Sequence, residues 1–116
     1  MPERGSKKRL GVRLNDGKPF DRVRMEAEWL AITRDTLPAL AEARRWPVSV
    51  DHCFMRILLD AVHEGRWDKA VQGRPAYKHI HAARLAAAVA LAERVVANEA
   101  DLSALNAQSL AWRGKG

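Results

Sequence analysis

Apolar residues recur along this chain at helical spacing from about residue 21 onward. Val23, Ala27, Leu30 and Ala31 fall on one face of a 3.6-residue period, with Met25, Trp29 and Ile32 beside them. Asp21 is placed to cap that helix. Asp35 or Thr36 is placed to start a second one, in which Pro38 is tolerated because it lies in the first turn. Leu37, Leu40, Ala41 and Arg44 carry the second helix to Trp46, and Pro47 ends it by pushing the preceding residue out of the helical region. Ser49 and Gly65 bracket a third helix over residues 50–64. A short turn follows, with Trp67, Ala70 and Val71 inward, and then a Gly73-Arg74-Pro75 loop. The longest helix starts near Pro75 or His81 and runs to Asn98, with Leu85, Ala88, Val89, Ala92 and Val96 on its core face. Asp101 caps a last helix that carries Leu102, Leu105 and Leu110 to about Trp112. Connections of about two to six residues favour antiparallel neighbours, so the pattern predicts an all-α fold, a compact bundle of four to six helices.

The third helix has the most informative pattern. With His52 at zero and about 100° per residue, Val50, Phe54, Ile57, Leu58 and Ala61 cluster on the far side, and Met55, Leu59 and Val62 cover the flank. His52, Arg56, Asp60 and His63 share one narrow stripe. A helix that is apolar on most sides is normally buried, and its polar strip must then find partners, water or a ligand. One reading of the stripe is an Arg56–Asp60 ion pair four residues apart, flanked by solvated histidines. The other is a polar pocket. There Arg56 fixes an anion through its planar donor fork, Asp60 orients a histidine or acts as a base, and His52 or His63 carries a proton. His52 and His63 lie about 16 Å apart along the axis, so the stripe divides into two half-sites, His52–Arg56 and Asp60–His63. These four are the candidate catalytic residues. Cys53, at the stripe's edge, is a nucleophile only in second place. It borders the apolar face, where a free cysteine serves as a small hydrophobe, and adjacent helical residues such as His52 point away from it.

Charge changes the picture next. The chain of 116 residues has a net charge of +6, but residues 1–19 hold six Lys/Arg against two acidic residues. The remaining 97 residues carry fourteen against twelve and are nearly balanced. Those first 19 residues contain three glycines and no helical period, so they are expected to form a flexible basic arm ahead of a single helical domain over residues 20–116. Lys7, Lys8 and Arg9 in the arm would attract any polyanion. Within the body, Arg66, Lys69, Arg74, Lys78 and Arg84 form the densest basic stretch, interleaved with Trp67 and Tyr77. From these residues the leading expectation is a helical binding module for a polyanion such as nucleic acid, or for an acidic protein partner. The alternative is a small enzyme or ligand-binding protein working through the stripe on the third helix.

Other chemistry is thinly represented. One cysteine excludes an internal disulfide framework and a multi-cysteine zinc site. His79 and His81, with His63 or Cys53, supply too few ligands at recognisable spacing, so no metal and no cofactor is expected. There is no glycine-rich nucleotide loop and no metalloprotease helix motif. No apolar run reaches the roughly 20 residues that span a bilayer, and the N-terminus lacks the apolar core of a secretory signal, so the expected location is cytoplasmic, with no membrane partner.

Overall fold

The computed structural model describes residues 19–115, and residues 1–18 of the basic arm expected at the N-terminus, Lys7, Lys8 and Arg9 among them, lie outside the described residues. The described chain is all helix and turn. Its order is α1 (Pro19–Ala31), a π-helical turn (Ile32–Thr36), α2 (Leu37–Arg44), α3 (Asp51–His63), a 3-10 turn (Trp67–Lys69), α4 (Ala76–His79), α5 (Ala82–Val96) and α6 (Leu102–Trp112). Among the described residues no helix is long and apolar enough to cross a membrane.

α3 lies at the centre, against α5 on one side and α6 on the other, while α1 packs on α5. Phe54, Ile57 and Leu58 of α3 are completely buried, as are Leu37 of α2 and Leu85, Ala88 and Ala92 of α5. The alanines of α5 divide by face. Ala88 and Ala92 let α3 approach closely, whereas Ala83, Ala86, Ala87 and Ala90 face outward. Trp46 stands edge-on to Phe54, with ring centroids 5.8 Å apart. Arg44 lies over the Trp46 ring and donates to the carbonyls of Val95 and Val96, so a cation satisfies the C-terminal end of α5.

Several helix boundaries differ from the sequence pattern. α1 already begins at Pro19, so Asp21 lies within its first turn instead of capping it. The break expected at Asp35–Thr36 is instead a single wide turn. The helix continues through it with the Leu37 N–H bonded to the Ile32 carbonyl, five residues back. Pro38 has no N–H to donate and its ring crowds the carbonyl four residues earlier, so a wider turn just before it lets the chain remain helical. Thr36 therefore stays helical and makes no side-chain cap. The Ser49 cap is also absent. Val50 occupies the cap position, and Asp51 accepts the backbone N–H of His52 at 2.7 Å. At the other end Glu64, with φ of 55°, closes α3 one residue before the expected glycine.

Of the two starts expected for the longest helix, the structure has the one at His81, and the residues after Pro75 form a separate turn, α4. α4 is one turn, held to α1 by Arg22, which donates to the carbonyls of Tyr77 and Ile80 at 2.8 and 2.7 Å. Glu26 joins the same contact through Arg22 and Lys78. Burial raises its carboxyl, but the hydrogen bonds from those two cations outweigh that effect and hold it below its ordinary value. The loop before α4 turns at Gly73, with φ of 107°, where a Cβ would sit 2.8 Å from the His79 ring. Both the backbone conformation and the space there require glycine.

Replacing Phe54 by alanine removes the ring on which Trp46 and the α3–α5 core pack. It is expected to cost about 3–5 kcal/mol, read as a lower urea midpoint with an unchanged slope.

Candidate functional site

α3 distributes its polar stripe to three different environments. Asp60, in its last turn, is completely buried. Its two oxygens accept from Ser109 Oγ at 2.6 Å, Arg113 Nε at 2.8 Å, Arg113 Nη2 at 3.0 Å and the Trp67 backbone N–H at 2.9 Å. Burial raises this carboxyl, yet the donors from Arg113, Ser109 and Trp67 outweigh it and hold it below the ordinary aspartate range. Arg113 is correspondingly held charged, first by its hydrogen bonds to Asp60. A carboxylate with this many donors is a structural anchor with no lone pair left for base chemistry. The expected Arg56–Asp60 pair and the Asp60–His63 half-site are therefore not formed. The physical reason is that Arg113 reaches Asp60 from α6 with its fork in bidentate geometry. His63, half-buried, has Nδ1 2.8 Å from the Leu59 carbonyl, which sets that nitrogen as the donor.

The other half of the stripe opens onto a cavity of about 600 Å³. His52, Cys53 and Arg56 line it from α3, together with Met55 and Leu59. Trp29 of α1 and Arg34 of the π-helical turn line it as well. Trp67, Asp68, Arg74, Tyr77 and Arg113 also line it. This volume lies within the range of small-molecule sites, and the lining has their usual character, apolar walls with a few polar groups. His52 stands at the solvent edge with its side chain 80% exposed. Cys53 is half-buried at the cavity wall rather than wholly within the core.

Four arginines line the cavity, and they are not equivalent. Arg113 is neutralised by Asp60 and also lies 3.6 Å from Asp68. Arg34 lies 3.8 Å from an Asp51 carboxylate oxygen. Arg56 donates from Nη2 to Asn106 Oδ1 at 2.5 Å, and its Nε is shielded from solvent with no hydrogen-bond partner. Among the described residues no carboxylate pairs with Arg56 or Arg74. A buried polar group without a partner costs about 1–3 kcal/mol, and more when it is charged, so Arg56 is the least satisfied group of the wall.

The basic stretch of the body is largely engaged within the chain. Arg66 forms a double hydrogen bond to Asp68 at 3.2 and 2.8 Å, and that bond first of all holds the Asp68 carboxyl low. Lys78 reaches Glu26 at 3.4 Å and lies over the Tyr77 ring. Arg84 donates to the Val62 carbonyl. Lys69 is exposed, and Arg74 belongs to the cavity. His81 caps α5 by accepting the Ala83 N–H at 3.2 Å. Among the described residues no group of three or more His, Cys, Asp and Glu side chains is placed to hold a metal ion.

Arg113, Ser109 and Asn106 had no place in the sequence-derived site. A signal for them was present in their spacing. Residues 106, 109 and 113 recur at three and four along α6 and the residue that ends it, a polar ladder complementary to the stripe on α3.

Asp60→Asn is expected to destabilise the protein by about 3–5 kcal/mol, because it leaves the Arg113 charge without its counter-ion. Arg113→Ala should cost a similar amount, and the double variant less than the two together in a double-mutant cycle. Because the folded carboxyl titrates below its unfolded value of about 3.9, its contribution is present above that pH and is lost as pH falls through the folded value. The stability gap between wild type and Asp60→Asn should therefore shrink on acidification below about pH 4, as read by urea titration.

No protein family, no curated protein and no solved structure matches this chain.

Proposed function

We propose that this protein is a helical binding module for a small organic anion, which it takes into the cavity beside α3. The observation that carries this reading is Arg56, a lining cation with no carboxylate partner among the described residues, in the wall of a cavity about 600 Å³ in volume. Partly desolvating a guanidinium is costly, and an anion entering the cavity supplies the counter-charge that the neutral Asn106 does not. Trp67, Tyr77, Met55 and Leu59 offer the body of the ligand an apolar wall. Asn106 Oδ1 accepts from Arg56 Nη2 and so restricts the direction of the guanidinium. The Asp60 cluster supports the site without taking part in binding.

Attraction of a nucleic acid or an acidic protein through the surface is the second reading. It is favoured by the exposed Lys69 and by the cation excess of the first nineteen residues. It draws little on Arg66, Lys78 and Arg84, whose donors are already used within the chain.

Benzoate, phenyl sulfate and phenyl phosphate at millimolar concentration are the probes, with tryptophan emission and calorimetry as readouts, because Trp29 and Trp67 border the cavity. At least one should bind the wild type, and Arg56→Met should weaken it at least about tenfold with the helical circular-dichroism signal retained. Absence of binding by all three, or equal binding by Arg56→Met, overturns the cavity reading. A salt-dependent mobility shift of DNA or RNA in the same preparation then speaks for the surface reading.

A further inference from the structure

We infer that the ligand is a phosphate monoester of a flat ring, bound as a dianion by Arg56 and Arg74. This rests on the cavity reading above and narrows it to one chemical class.

The charge balance of the lining selects the anion. Arg113 has Asp60, and Arg34 has Asp51. Asp68 is committed to Arg66 through two hydrogen bonds, with Arg113 nearby. That leaves Arg56 and Arg74 as the lining cations with no carboxylate partner among the described residues. Two guanidinium cations match the charge of a phosphate monoester, which carries about −1.5 to −2 at neutral pH. A carboxylate or a sulfate ester brings one negative charge and leaves one fork unneutralised.

The shape of the lining selects the rest of the molecule. A phosphate group alone would leave most of a 600 Å³ cavity unfilled. The remaining wall is Trp67, Tyr77, Met55 and Leu59, apolar and rich in rings. Aromatic faces and edges favour a flat partner in stacked or edge-on contact. Arg74 comes from the loop that Gly73 turns, beside α4, which Arg22 and Glu26 anchor to α1. The second cation thus comes to the same cavity from the loop beside an element held by α1, while the first comes from α3.

Calorimetric titration of the full chain with phenyl phosphate, phenyl sulfate and inorganic phosphate separates the terms. Phenyl phosphate should bind at least about tenfold more tightly than either of the others. Arg74→Gln, a change at an exposed loop position, should reduce the preference for phenyl phosphate over phenyl sulfate to about threefold or less, while the thermal midpoint stays unchanged. Phenyl sulfate binding as tightly as phenyl phosphate overturns the dianion assignment and leaves the cavity reading standing. Inorganic phosphate binding as tightly overturns the ring. Retention of the full preference in Arg74→Gln overturns the role of Arg74. Failure of all three probes to bind overturns this inference and, if benzoate fails as well, the cavity reading too.

Discussion

The buried carboxylate of Asp60 is the constraint around which the rest of this structure is arranged. A charged group with no solvent contact is tolerable only when its lone pairs are filled, and here α6 and the 3-10 turn deliver donors to a single side chain on α3. The consequence is geometric as much as energetic. Ser109 and Arg113 dock the last helix against the central one, and the backbone of Trp67 is drawn to the end of α3. Trp67 and Arg113 line the cavity where they do because both are bonded to Asp60.

That arrangement also decides which arginine is left over. Asp60 lies one turn beyond Arg56 on the same helix and could have served it, as the four-residue spacing suggests. Arg113 occupies the carboxylate in bidentate geometry, so Arg56 turns to the neutral amide of Asn106. A neutral partner satisfies one nitrogen and none of the charge. The cavity thus inherits an incompletely satisfied cation from a pairing made elsewhere in the core. Its likeness to a ligand site follows from that competition between two arginines for one acid.

Legibility in the sequence followed the range of the interaction. The central helix, its apolar faces and its stripe were all visible, because a 3.6-residue period is a local property. So were Asp101 as a cap and the Gly73-Arg74-Pro75 turn. The two helices expected before Pro47 proved to be one continuous run through a π-helical turn, since periodicity registers an irregular stretch but not which hydrogen bonds bridge it. Within the stripe, His52 and Arg56 do share one cavity, while Asp60 and His63 are each bonded elsewhere. The spacing showed that they share a face and carried no information on what lies opposite.

The sequence by itself determined an all-helical chain with a buried central helix and a polar strip that needed partners, because burial and helix period are written in local residue order. Only the tertiary structure decided which partners those are. Asp60 lies 53 residues from Arg113 and 49 from Ser109, and Arg56 lies 50 from Asn106. Pairings over such separations depend on how helices register against one another. The strip therefore came apart into an anchor and a cavity wall: one carboxylate saturated in the core, and one guanidinium left at the cavity with only a neutral partner.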